Sequence, residues 1–93
     1  MARKQRLFDA GYVIRTSPAV HAMRVAHVSE WSLLERHESG DFGCVSPIQR
    51  LINRRRIRSR GCVVSVYRLA QQCVRIVTDL DAHTTTVSIP QES

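Results

Sequence analysis

Lysine is nearly missing from this sequence: Lys4 is the single one among 14 basic residues, and aromatic residues make up 5% of the chain. Long apolar runs are missing too. None approaches the ~20 residues that a membrane-spanning helix requires, which excludes a helical membrane protein. The basic opening MARKQRLF leads into no apolar h-region, so no secretory signal is expected and the location implied is the cytoplasm. Cysteines are few. Cys44, Cys62 and Cys73 form an odd set with no CxxC or finger-like spacing. That pattern excludes a disulfide framework and a zinc site, and predicts three free thiols in a reducing compartment. Nucleophile elbows, HExxH pairs and phosphate-cradling glycine loops are absent as well. No catalytic residue, metal or cofactor is therefore expected, and the chain reads as a non-enzyme.

What is present fits one small domain: 93 residues, 43% of them hydrophobic. Residues 1–10 are polar and read as a flexible N-terminal segment, leaving 11–90 as a single α+β domain. The net charge is +6 and is unevenly spread. Arg50, Arg54, Arg55, Arg56, Arg58 and Arg60 crowd into one stretch with no acid in it, while the acids gather at Glu30, Glu35, Glu38 and Asp41 and again at Asp79 and Asp81.

Local patterns divide the domain. Residues 11–15 (GYVIR) read as a short strand. Ser17-Pro18 reads as a helix start, the serine capping and the proline in the first helical turn, with the helix running to about Ala26. Ser29 caps a second helix, EWSLLERHE, on which Trp31, Leu34 and His37 share a side and which Gly40 ends. Ser46-Pro47 repeats the start signal for a third helix, roughly 47–58, closed by Gly61. Its apolar stripe, Ile48, Leu51 and Ile52, is expected to face the core, with Arg50, Arg54 and Arg58 projecting into solvent. The last third changes period: 62–69, 73–78 and 84–89 are β-branched and joined by short turns. The order β-α-α-α-β-β-β predicts a three-stranded antiparallel C-terminal meander packed by helices. The core expected from these periods is Trp31, Leu34, Leu51, Ile52, Val64, Val66, Ile76 and Val87.

Two constellations stand out. In the turn Gly40, Asp41, Phe42 and Gly43, the carboxylate can accept backbone N–H groups and the ring can anchor the loop, which reads as a structural lock. His37 reads as a satisfied histidine at the core edge, and Asp79 and Asp81 as turn formers. The arginine stretch is the feature with a functional reading. Its field attracts phosphates, so one partner class is nucleic acid, bound without base-specific reading because no aromatic interleaves the arginines. The other is an acidic protein surface, with arginine as the anchoring residue, as in a small inhibitor or modulator of a host defence machine that acts by protein–protein binding. No membrane partner is implied, and the oligomeric state is open.

From Ser29 onward the chain also resembles a family of small proteins carried by bacterial plasmids and integrating elements, often catalogued under the name of a type I restriction-modification M subunit. The resemblance rests on RHESGDFG at 36–43, where relatives read RHxxGDWG, on Asn53, on Ser65 and Tyr67 in VVSVY, and on VTDLDAHTTTVSIPQE at 77–92, where relatives read ITExDRSxTTxLLPEE. It implies a mobile-element accessory protein of bacterial cytoplasm and supplies no activity. In relatives the segment between Gly43 and Gly61 is acidic, so the arginine helix belongs to this chain and not to the resemblance.

Overall fold

The computed structural model describes residues 5–92 of the chain. Strand β1 (Tyr12–Arg15) is followed by helices α1 (Ser17–Val25), α2 (Glu30–Glu38) and α3 (Pro47–Ser59), then by strands β2 (Cys62–Arg68), β3 (Cys73–Asp79) and β4 (Thr84–Ser88). The class is α+β. β2, β3 and β4 do form an antiparallel meander, but the expected three-stranded sheet is a four-stranded mixed one. Its order is β1-β4-β3-β2, with β1 parallel to β4. The meander alone would leave β4 as an unpaired edge; β1 covers it and adds Val13 to the packed side.

Each helix begins on a hydroxyl cap. Thr16, one residue earlier than expected, accepts from Ala19 N at 3.3 Å; Ser29 accepts from Ser32 N at 3.1 Å and Ser46 from Gln49 N at 3.0 Å. The end of α3 departs from expectation. Arg60, and not Gly61, takes the left-handed conformation (φ 61°), and its guanidinium donates to Leu80 O at 3.0 Å. A Cβ on Gly61 would fall 2.6 Å from the Arg56 side chain.

α1 and α2 lie on one face of the sheet. Ala19, Ala22 and Met23 of α1 and Leu33 of α2 pack with Tyr67, Val74, Ile76 and Val87. A smaller cluster of Phe42, Val63 and Leu80, with Phe8, Val45 and Ile57 against it, closes the end nearer α3. Residues 1–4 of the expected flexible segment lie outside the described residues. Residues 5–10 have no regular structure but touch α2: Leu7 N donates to Glu38 O at 2.7 Å, Ala10 N to the Glu38 carboxylate at 2.8 Å, and Phe8 stands edge-on to His37. The sheet's other face carries half-buried or exposed residues such as Ile14, Val64, Val66 and Thr86.

Of the expected core, Ile76 and Val87 are fully buried, while Leu34, Val64 and Val66 are half-buried. Three positions are corrected. Trp31 is 70% exposed, Leu51 63% and Ile52 36%. For Trp31, α2 turns Leu33 and His37 to the sheet, and this phase leaves the first turn's indole outside. For Leu51 and Ile52 the cause is the way α3 is seated, described next.

Candidate interaction surface

β2 is an edge strand, and its outward-turned peptide groups need partners that a sheet does not supply. Asn53 supplies them at one position. Its Nδ2 donates to Val64 O at 2.8 Å and its Oδ1 accepts from Val64 N at 3.0 Å, so a side-chain amide stands where another strand would. Gln49, one turn earlier, donates to the same Oδ1 at 3.0 Å. Two residues along, the loop before α3 does the same with its backbone: Val66 N donates to Phe42 O at 3.1 Å and Cys44 N to Val66 O at 2.7 Å.

These bonds fix the rotation of α3. Asn53 is fully buried, with Gln49 and Ile57 one turn to either side of it. At about 100° per residue, Ile48, Leu51, Arg55 and Arg58 then fall on the opposite side. Ile48 is 70% exposed. The apolar stripe expected to be buried is thus the outward face, and arginines share it. A leucine at the sheet edge would leave two peptide groups without partners, whereas an asparagine satisfies both.

The six arginines separate into groups. Arg50 donates to Gly43 O at 3.1 Å and Arg60 to Leu80 O, so both are tied to backbone. Arg56 lies along Gly61. Arg54, Arg55 and Arg58 are exposed, and their side chains make no hydrogen bond or ion pair among the described residues. None of the six meets a carboxylate there; the ion pairs involve Arg6, Arg15 and Arg36.

The turn Gly40, Asp41, Phe42 and Gly43 packs beside this helix. Arg36 donates to the Asp41 carboxylate through Nε at 2.8 Å and Nη2 at 3.3 Å, and Gly43 N donates to it at 3.3 Å. The Tyr67 hydroxyl donates to Asp41 O at 2.6 Å, the Arg36 guanidinium lies over the Tyr67 ring, and Phe42 is 4% exposed. Burial pushes the Tyr67 hydroxyl up to about 12. Gly43 has φ 71°, and a Cβ there would sit 2.1 Å from Val66 O, which only glycine avoids. A cleft of about 150 Å³ between this turn and α3 brings Arg50 and Arg54 beside Gly40, Asp41, Phe42 and Gly43. Arg55, Arg56, Arg58 and Arg60 stand apart from it.

Polar residues also fill the middle of the helix-covered sheet face. His37, Ser65, Thr78 and Thr85 are all fully buried. His37 Nδ1 lies 2.5 Å from Ser65 Oγ and Nε2 lies 2.8 Å from Thr78 Oγ1. Thr78 Oγ1 is 2.6 Å from Thr85 Oγ1, which donates to Ala10 O. Each hydroxyl has one proton, so the chain has one direction. Thr85 donates to the carbonyl, Thr78 to Thr85, and His37 Nε2–H to Thr78. Ser65 then donates to Nδ1, and the imidazole is neutral. Desolvation holds its pKa down at about 3. Both side chains are fully buried, so this serine–histidine contact is closed off from solvent.

Asn53 and the buried hydroxyls were not expected as anchors. The signal for Asn53 was its position, a short amide one turn from both Gln49 and Ile57. For Ser65, Thr78 and Thr85 it was strand phase, since each falls in step with buried apolar neighbours. Among the described residues no group of three or more His, Cys, Asp or Glu side chains is placed to hold a metal ion. No helix there is long and apolar enough to cross a membrane. The thiols are free, Cys44 exposed and Cys62 and Cys73 half-buried on strands. Compared with known proteins, the chain matches no family model, no curated protein and no solved structure.

Proposed function

We propose that the protein is a non-catalytic binding module that docks an acidic, partly apolar surface of another protein through the outer face of α3. The observation that carries this reading is the exposure of Ile48, Leu51 and Ile52 on the same helix as Arg54, Arg55 and Arg58, which have no counter-ion among the described residues. Phosphate binding has no use for three large aliphatic side chains beside the bases. A protein partner does, because interface centres combine apolar packing with arginine and gain most of their affinity from a few such residues. The family resemblance adds only a setting, an accessory protein of a bacterial mobile element; that such a protein modulates a host machine is part of this proposal and does not come from the resemblance.

The test uses the full chain as bait in bacterial lysate, with and without nuclease, alongside Leu51→Ser and an Arg54→Gln/Arg55→Gln/Arg58→Gln triple variant. The expected result is a protein partner retained after nuclease and lost with either variant. Direct affinity for a nucleic-acid duplex supports the competing reading if it is lost in the arginine variant alone. It would also need log K to fall by about 0.9 per log unit of salt for each phosphate contacted.

A further inference from the structure

The two edges of the sheet are treated differently. On β2, the outward peptide groups of Val64 and Val66 are taken by Asn53 and by the loop at 42–44. Among the described residues β1 has no such cover. Tyr12 N donates to His83 O and Thr16 N to Val87 O, so the even-numbered residues face β4. In a parallel ladder the alternate residues turn the other way, which directs the N–H and C=O of Val13 and Arg15 to the open edge. The strand is only four residues long, but no proline or bulge interrupts it, and its one charged side chain, Arg15, is tied to Glu30. Tyr12 and Ile14 beside it are 71% and 47% exposed.

From this edge we infer a homodimer in which β1 pairs antiparallel with β1 of a second copy, joining two four-stranded sheets into one. The register is self-complementary. Placing Ile14 opposite Ile14 of the second copy puts Val13 opposite Arg15 at both ends. Val13 and Arg15 are the two residues whose peptide groups are free to bond. The two isoleucines then meet in a non-hydrogen-bonded pair, about 4.5 Å apart at Cα.

Charge selects the same edge. Two copies of a chain with net charge +6 repel, so a surface where they meet must carry no unmatched base. Arg15 meets this condition: its Nε and Nη2 donate to the two Glu30 carboxylate oxygens at 2.6 and 2.9 Å. The outer face of α3, with three arginines unpaired among the described residues, does not. A short strand with two large side chains lies below the ~1,200 Å² of a stable complex, so the dimer is weak and forms at high protein concentration. Salt, which screens the overall repulsion, strengthens it and weakens docking of an acidic partner on α3.

Sedimentation of the full chain up to about 1 mM, the weak end of specific association, reads this directly. The expected mass rises from 10.6 kDa toward twice that value and rises further with added salt. Val13→Pro removes a donor that β4 does not use, and Ile14→Lys sets two like charges opposite each other. Both variants are expected to remain monomeric with an unchanged circular dichroism spectrum, while the arginine triple variant of α3 dimerises at least as well as the wild type. A wild type that stays monomeric throughout overturns the inference. So does a dimer that survives Ile14→Lys in a folded protein.

Discussion

α1 and α3 start the same way and bury opposite things. Each opens with a hydroxyl cap and a proline in its first turn, and each carries large apolar residues at helical spacing. α1 lies over the sheet and buries Ala19, Ala22 and Met23. α3 runs along the edge of β2, buries Asn53, and leaves Ile48, Leu51 and Ile52 in solvent. α2 stands between them, burying Leu33 and His37 together. A helix buries whatever its neighbour lacks. Over a sheet face that is apolar volume; along a sheet edge it is a donor and an acceptor.

Acid should break the α2 case most strongly. His37 has its pKa at about 3 in the fold against 6.5 when unfolded. Between these values the unfolded chain binds a proton that the folded chain refuses, so stability is complete above pH 6.5 and falls as the pH drops toward 3. The loss is of order 4 kcal/mol at the acid end, at ~1.36 kcal/mol per unit. Urea titrations across that range should show the slope, and His37→Gln, which does not titrate there, should flatten it.

Next in size is the α1 side. Met23→Ala opens a cavity against Tyr67, Val74, Ile76 and Val87 and should cost about 3 kcal/mol by urea denaturation. Asn53→Leu tests the α3 side. If α3 were held by apolar contact, this substitution would stabilise the protein. Because Val64 loses partners for both peptide groups, a loss of about 2 kcal/mol is expected instead. Leu51→Ala completes the comparison with the smallest effect, under about 0.5 kcal/mol, since the side chain is already in water. A loss as large as that of Met23→Ala would place Leu51 in a core and remove the outward face on which docking depends.

Much of the local structure was legible in residue order. Ser29 and Ser46 cap the helices they were expected to cap, and the β-branched runs at 62–69, 73–78 and 84–89 hold the strands of the meander. Gly40 has the left-handed φ of 94° expected past the end of α2. The arginine cluster was visible at once. Its apolar companions face outward and not inward as their spacing suggests, because periodicity fixes which residues share a face, not which face is buried.

The sequence by itself determined the elements, their capping and the pairing of hydrophobic and basic residues along one helix, since these depend on contacts within a few residues. Only the tertiary structure decided three things. It set β1 against β4 across most of the chain. It assembled His37, Ser65, Thr78 and Thr85 from α2 and three strands into one buried chain. And it turned Ile48 and Leu51 outward, because the nearest neighbour of α3 is a strand edge whose unpaired peptide groups a side-chain amide satisfies and an aliphatic side chain does not.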